Sequence, residues 1–212
     1  MSRPVIYFDW DGTLGDSMAL CFAEVSGALE ELGYPPQPPE LLAQCNGPTI
    51  RESAPLMGIR PEDVERYFEA RSRLEVTLSP RYAKLYPGIG PLLRELLRYA
   101  DLAIVSNGFG GYIRASAEAC RVADCFVRIQ GAVPPLTKPQ LLARMLEEMR
   151  PARAAMVGDR LGDIRAGVEN GLMTVAVTYG YGSEEEWRDA TARAATVEEL
   201  REQLLAWLAQ ET

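Results

Sequence analysis

Residues 5–16 read VIYFDWDGTLGD, an apolar run that ends in two aspartates, Asp9 and Asp11, two positions apart. Four consecutive large apolar residues, Val5–Phe8, have the length and β-propensity of a buried strand. A strand closed by Asp-Trp-Asp-Gly raises a chemical question, because carboxylates brought close together repel and are costly to bury unless a cation or a proton lies between them. The plainer alternative is a strand followed by an acidic turn, since Asp and Gly both favour turns. The rest of the chain decides between the two.

Further short apolar runs follow: Leu102–Val105, Ala154–Val157, Thr174–Val177 and a weaker one at Cys125–Ile129. Helical patterns lie between them near residues 88–100, 111–121, 138–149 and 162–170. Strands alternating with helices predict an α/β fold, a parallel sheet covered by helices on both faces. Residues 16–86 interrupt this alternation with helical periodicity alone. SMALCFAEVSGALEELG offers Leu20, Phe22, Val25, Leu29 and Leu32 to one broad face, and PEDVERYFEARSRLEVTL opens on Pro61, suited to a first helical turn. PPQPPE and Gly47-Pro48 read as loops between them. The expected division is therefore a core of residues 1–15 and 87–212, with a small helical domain of residues 16–86 inserted after the first strand.

Composition narrows the functions available. The 212 residues are 47% apolar with a net charge of −8, enough for a core and unsuited to nucleic acid or an anionic membrane. No run approaches the ~20 apolar residues of a membrane span, and no secretory leader opens the chain. Cys21, Cys45, Cys120 and Cys125 form no CxxC pair and read as free thiols in a cytoplasmic protein. The complete absence of histidine excludes His-dependent triads and leaves acid–base work to carboxylates. Nothing in the sequence fixes an oligomeric state.

In an open parallel sheet, ligands sit outside the carboxyl ends of the strands. There the first strand presents Asp9 and Asp11, the second Ser106-Asn107-Gly108, and the fourth Gly158-Asp159 with Asp163 four residues on. Lys138 opens the helix after the third strand. Hard carboxylate oxygens from Asp9, Asp11 and Asp159 suit Mg²⁺. Ser106 and Asn107 can donate to phosphate oxygens, and Lys138 can neutralise them. A carboxylate beside phosphorus can act as a nucleophile, so phosphoryl transfer is the chemistry these parts suit.

DWDGT, VSNG, the lysine of TKPQ and VGDRLGD resemble, in order, the four motifs of the haloacid dehalogenase-like superfamily. AGVENGLMTVAVTYGYGS, residues 166–183, is similar to its phosphoglycolate phosphatase-like branch. The resemblance implies a Rossmann-like core with a mobile helical cap that closes over the site. It also implies a Mg²⁺-dependent phosphatase for a small phosphate monoester: phosphoglycolate-like, a sugar phosphate or a nucleotide. Asp9 would be the nucleophile and a Mg²⁺ ligand. Asp11 would be the general acid and base; it too is counted among the metal-binding positions. Ser106, Asn107 and Lys138 would hold the phosphoryl group, and Asp159 and Asp163 would serve the metal, Asp163 directly, through water or by orienting Lys138. Gly15, Phe109-Gly110-Gly111 and Gln140 depart from the pattern common in relatives, so the substrate is left open.

Other readings stand beside this one. A phosphomutase of the beta-phosphoglucomutase type and a non-catalytic phosphate-binding homologue would share the motifs. A signalling receiver domain would carry its phospho-accepting aspartate on a later strand and lack the insert. An EF-hand begins D-x-D too, but here the glycine falls at loop position four and Leu20 stands where the last ligand belongs. In the insert, Asn46–Arg51 resembles a substrate-facing loop, which makes Arg51 a candidate substrate contact. Thr49 and Glu52 also fit a capping box, which accounts for the stretch structurally.

Overall fold

The computed structural model describes residues 3–210. Six parallel strands form one sheet: β1 (Val5–Phe8), β2 (Asp101–Val105), β3 (Arg128–Gln130), β4 (Ala154–Gly158), β5 (Met173–Val177) and β6 (Ala192–Ala194). Their order across the sheet is β3-β2-β1-β4-β5-β6. Leaving β1, the chain goes first to one side of the sheet and later to the other, so the strand order reverses beside β1 and opens the crevice expected there. Register is tight on both sides: Phe8 pairs with Ile104 of β2 and with Val157 of β4.

The helices are α1 (Met18–Leu32), α2 (Pro39–Leu42), α3 (Ile50–Ser53), α4 (Val64–Tyr82), α5 (Ile89–Leu96), α6 (Gly110–Ala119), α7 (Lys138–Met149), α8 (Leu161–Glu169) and α9 (Val197–Ala209). The sheet is covered on both faces, because alternate residues of the buried strands point to opposite sides. Ile6 and Phe8 join Leu93, Ile104, Ile113 and Trp207 in one apolar layer. Val5 and Tyr7 join Leu142, Met145 and Met156 in the other.

Helices α1 to α4 make a separate apolar cluster around Val25, Leu29, Met57 and Tyr67. All lie in residues 16–86, where the described chain holds no strand. Two crossing segments join this layer to the sheet: Asp16 N–H donates to the Lys84 carbonyl at 2.9 Å, and Lys84 Nζ pairs with Asp16 at 3.0 Å.

Some expected boundaries move. The weak strand at Cys125–Ile129 lies at Arg128–Gln130, because Ala123–Cys125 forms a 3₁₀ turn. Pro61 opens a 3₁₀ turn ahead of α4 instead of the helix itself. β6 and α9 add to the sheet edge and its cover beyond the anticipated elements. The four cysteines are free thiols. No described helix is long and apolar enough to cross a membrane.

Candidate active site

The strand ends gather their polar residues as the topology requires. Asp9 follows β1 directly and is 5% exposed; its N–H donates to the Val157 carbonyl at 2.9 Å, which fixes the nucleophile candidate to the neighbouring strand. The loop then folds back: the N–H groups of Leu14 and Gly15 both donate to the Trp10 carbonyl, at 3.0 and 2.8 Å. Gly12 makes this possible. Its φ is +75°, and a β-carbon there would lie 2.2 Å from Asp159 Oδ2. Trp10 is buried between the two aspartates, against Gly15.

Asp159, at the end of β4, is held from three sides. Thr13 Oγ1 donates to its Oδ1 at 3.2 Å and Tyr181 N–H to its Oδ2 at 2.7 Å; the Trp187 indole N–H donates to its carbonyl at 2.6 Å. Asp163, in the first turn of α8, accepts from Asp159 N–H and Arg160 N–H at 3.1 and 2.9 Å. Its other oxygen accepts from Lys138 Nζ at 2.6 Å. Lys138 sits at the start of α7 and lies 2.9 Å from Asp9 Oδ1, within ion-pair distance. The direction is poor for a hydrogen bond, and Asp9 Oδ1 remains a buried oxygen without a hydrogen-bond partner.

Asp9, Asp159 and Asp163 each place a carboxylate oxygen within 4.8 Å of the others. Burial, then the neighbouring carboxylates, raises Asp159 well above the usual carboxylate range; burial and the Asp9 charge push Asp163 up to about 6. For Lys138, burial works against its charge, but Asp163 and Asp9 outweigh it and hold the ammonium pKa above its ordinary value. Three crowded carboxylates facing one lysine are short of positive charge. That deficit, the hard-oxygen donors and the unpartnered Asp9 oxygen fit a small divalent cation.

Asp11 points elsewhere. Its carboxylate accepts a hydrogen bond from the Tyr112 hydroxyl at 2.5 Å and lies outside the acidic group, so the expected grouping of Asp11 with the metal ligands is not one the side chains make. Burial, then the Asp9 charge, pushes its pKa up to about 6. Asp11 instead lines a cavity of about 40 Å³ above the strand tips, together with Asp9, Ser106 and Asn107. Ser106 is buried, and its Oγ accepts from Gly108 N–H at 3.2 Å. Asn107 Nδ2 donates to the Gly47 carbonyl at 3.2 Å, and Arg160 Nη1 donates to the Asn46 carbonyl at 3.1 Å. The helical layer is thus tied down at the loop opposite Asp11.

Arg51 does not reach this cavity. It pairs with Glu65 at 2.8 Å, lies 3.9 Å over the Phe68 ring centroid, and borders a neighbouring cleft shared with Asn107 and Lys138. Thr49 and Glu52 form the capping box at the start of α3. The arginine that lines the cavity is Arg71 of α4, with Glu75 one turn on and Glu24 of α1. Sequence reasoning passed over these three, because charges on amphipathic helices ordinarily face water. The only available signal was a coincidence of register, since Arg71 meets a glutamate 47 positions away.

An open parallel sheet with an acidic mouth at its strand tips, beneath a helical layer, defines an α/β class of protein that places its site at the carboxyl ends of the strands. The model of the haloacid dehalogenase-like hydrolase family matches residues 6–177, and the chain belongs to that family. It is 32% identical over 215 residues to tyrosine-protein kinase PtkA of Mycobacterium tuberculosis, covering 96% of this chain and 73% of PtkA. It is 30% identical over 179 residues to a phosphoglycolate phosphatase of Synechococcus elongatus, covering 83% and 84%. The crystal structure of a predicted phosphatase from Clostridium acetobutylicum superposes with a TM-score of 0.85 at 25% identity, over 97% of this chain and all of that one. By these relatives and neighbours the chain sits among the phosphatases of its family.

Proposed function

We propose that the protein hydrolyses a small phosphate monoester with Asp9 as the nucleophile. The observation that carries this reading is the buried Asp9 oxygen lining the cavity, which has no hydrogen-bond partner and lies 2.9 Å from Lys138 Nζ. An Asp9 oxygen attacks phosphorus, the bond from phosphorus to the ester oxygen breaks, and an aspartyl-phosphate forms. Asp11, whose raised pKa of about 6 eases its protonation, gives its proton to the leaving oxygen. The resulting carboxylate then takes a proton from water, the water oxygen bonds to phosphorus, and phosphate leaves Asp9. Tyr112 holds Asp11 toward the cavity throughout.

Ser106 and Lys138 stand where they can hold the transferring oxygens, while Asp163 keeps the lysine aimed. Asp9, Asp159 and Asp163 would hold Mg²⁺, which would supply the positive charge that offsets the transferring phosphoryl group. Asn107 and Arg160 hold the cap loop against the site. The phosphatase named among the relatives supports hydrolysis, as does a cavity with room for water at Asp11. In a kinase such as the mycobacterial relative's name denotes, a phenol would have to take that water's place.

Phosphate release from a panel of monoesters, with Mg²⁺ and with EDTA, tests the reading. Wild type should turn over at least one ester only with Mg²⁺. Asp9→Asn should lose at least 1,000-fold (about 4 kcal/mol). Undiminished turnover in Asp9→Asn would exclude the nucleophile, and a rearranged sugar phosphate without free phosphate would make the enzyme a mutase.

A further inference from the structure

The wall of the cavity opposite Asp9 carries information about the leaving group. The leaving oxygen has to sit at Asp11 to receive its proton, and Asp11 faces only this cavity among those formed near the strand tips. Its upper wall is built by Glu24 of α1 and by Arg71 and Glu75 of α4. All three are at least 94% buried.

Arg71 is the one cation lining this cavity among the described residues, and its charge is already paired, with three of its five N–H groups engaged. Its guanidinium makes a two-pronged pair with Glu24, with Nε to Oε2 at 2.6 Å, and donates from Nη1 to Ser53 Oγ at 2.8 Å. Lys138, the other nearby cation, is paired with Asp163 and Asp9 and does not line this space. Glu75 differs from its neighbours. Its Oε2 is buried and has no hydrogen-bond partner, although the side chain borders the cavity. Burial first, then the Glu24 charge, raises its pKa well above the ordinary value, against the pull of Arg71. When it carries its proton, a carboxyl group both donates and accepts.

The charge balance follows. Glu24 and Arg71 are paired, Glu75 adds a carboxyl group with an unsatisfied oxygen and no positive charge, and Asp9 adds a negative charge. A carboxylate on the leaving group would enter where the one lining cation is already paired with Glu24, and so would be desolvated with no charge of its own to meet it. A hydroxyl would satisfy Glu75 at no such cost. The volume of about 40 Å³ admits only a few heavy atoms.

Building on the phosphatase reading, we propose that the leaving group is a short, uncharged alcohol whose second hydroxyl is read by Glu75, and that esters ending in a carboxylate are rejected. Glu75 is a specificity residue, acting on the part of the substrate away from phosphorus. This reading sets the chain apart from the relatives named for phosphoglycolate.

Two esters matched in length isolate the effect: 2-hydroxyethyl phosphate and 2-phosphoglycolate. We expect kcat/KM to favour 2-hydroxyethyl phosphate by tenfold or more. Glu75→Leu should shrink that preference about tenfold, chiefly through KM for 2-hydroxyethyl phosphate, and Glu75→Gln, which still donates and accepts, should keep most of it. Equal or better turnover of 2-phosphoglycolate would overturn the proposal, as would a preference unmoved by Glu75→Leu in a variant that melts like wild type. Loss of ¹⁸O from labelled inorganic phosphate to water needs only Asp9 phosphorylation and no leaving alcohol, so it reads the underlying reaction separately. Exchange together with a preference for 2-phosphoglycolate removes the proposal alone; no exchange and no turnover removes the phosphatase reading and the proposal with it.

Discussion

Glu75 is a carboxylic acid almost without water, and pH should reveal it. The groups facing it are Glu24 from α1, Arg71 from its own helix, Asp11 from the loop after β1 and Tyr112 from α6. Its pKa in the folded chain is raised above 4.5, so the folded state binds this proton more tightly than the unfolded chain does. The stabilisation is therefore complete at and below pH 4.5 and is lost as pH rises through the folded value. Glu75→Gln, which cannot ionise, should melt higher than wild type at pH 8, and the gap should close as pH falls to 4.5. In a chain of this size each kcal/mol corresponds to about 2–4 °C in Tm. A constant gap across that range, read by thermal unfolding, would show that ionisation of Glu75 plays no part.

Among the elements, α1 starts without help from its own sequence. Ser17 makes no capping bond and the first turn has no acidic residue. The cap comes from across the chain: Tyr181, in the loop after β5, accepts at its hydroxyl from the N–H groups of Ser17 and Met18, at 2.9 and 3.1 Å. Two donors at the helix start are thus satisfied by one phenol oxygen, at the point where the chain leaves the core for the helical layer. Tyr181→Phe should cost about 1–2 kcal/mol, the loss of a good N-cap. Urea unfolding would show it; a change below about 0.3 kcal/mol would mean that water replaces the hydroxyl freely.

The strand-tip residues Asp9, Ser106 and Asp159 could be located from sequence because each directly ends an apolar run, and the fold delivers such ends to one place. β6 could not be, because three residues at a sheet edge, only half-covered, carry too little periodicity to register. Arg71 and Glu75 were hidden for a different reason. Their burial depends on α1 and α4 packing together, a tertiary fact that no window along the chain contains. Arg51 attracted attention through its loop, but an available glutamate and an aromatic ring hold it away from the cavity at Asp11.

Across the whole molecule, the apolar residues divide into layers on the two sides of the sheet and a cluster within residues 16–86. Met57 belongs wholly to the latter, Leu93 to the former, and both are at most 1% exposed. Either alanine substitution should cost about 2–5 kcal/mol locally. If residues 16–86 open as a unit, Met57→Ala should speed amide exchange in α1 and α4 while β1, β2 and β4 stay protected. Leu93→Ala should speed exchange in the strands. Uniform acceleration by Met57→Ala would mean that the molecule opens as one body.

Two of the three tryptophans stand against the acidic mouth. Trp10 is enclosed between Asp9 and Asp11, and Trp187 donates its indole N–H to the backbone of Asp159. Indole emission is sensitive to the electric field along the ring, and both rings are buried. The protein thus carries an unlabelled optical gauge of charge at its own centre. Arrival of a cation, transfer of a phosphoryl group and release of product each alter that charge, so each can be timed by fluorescence on the native chain.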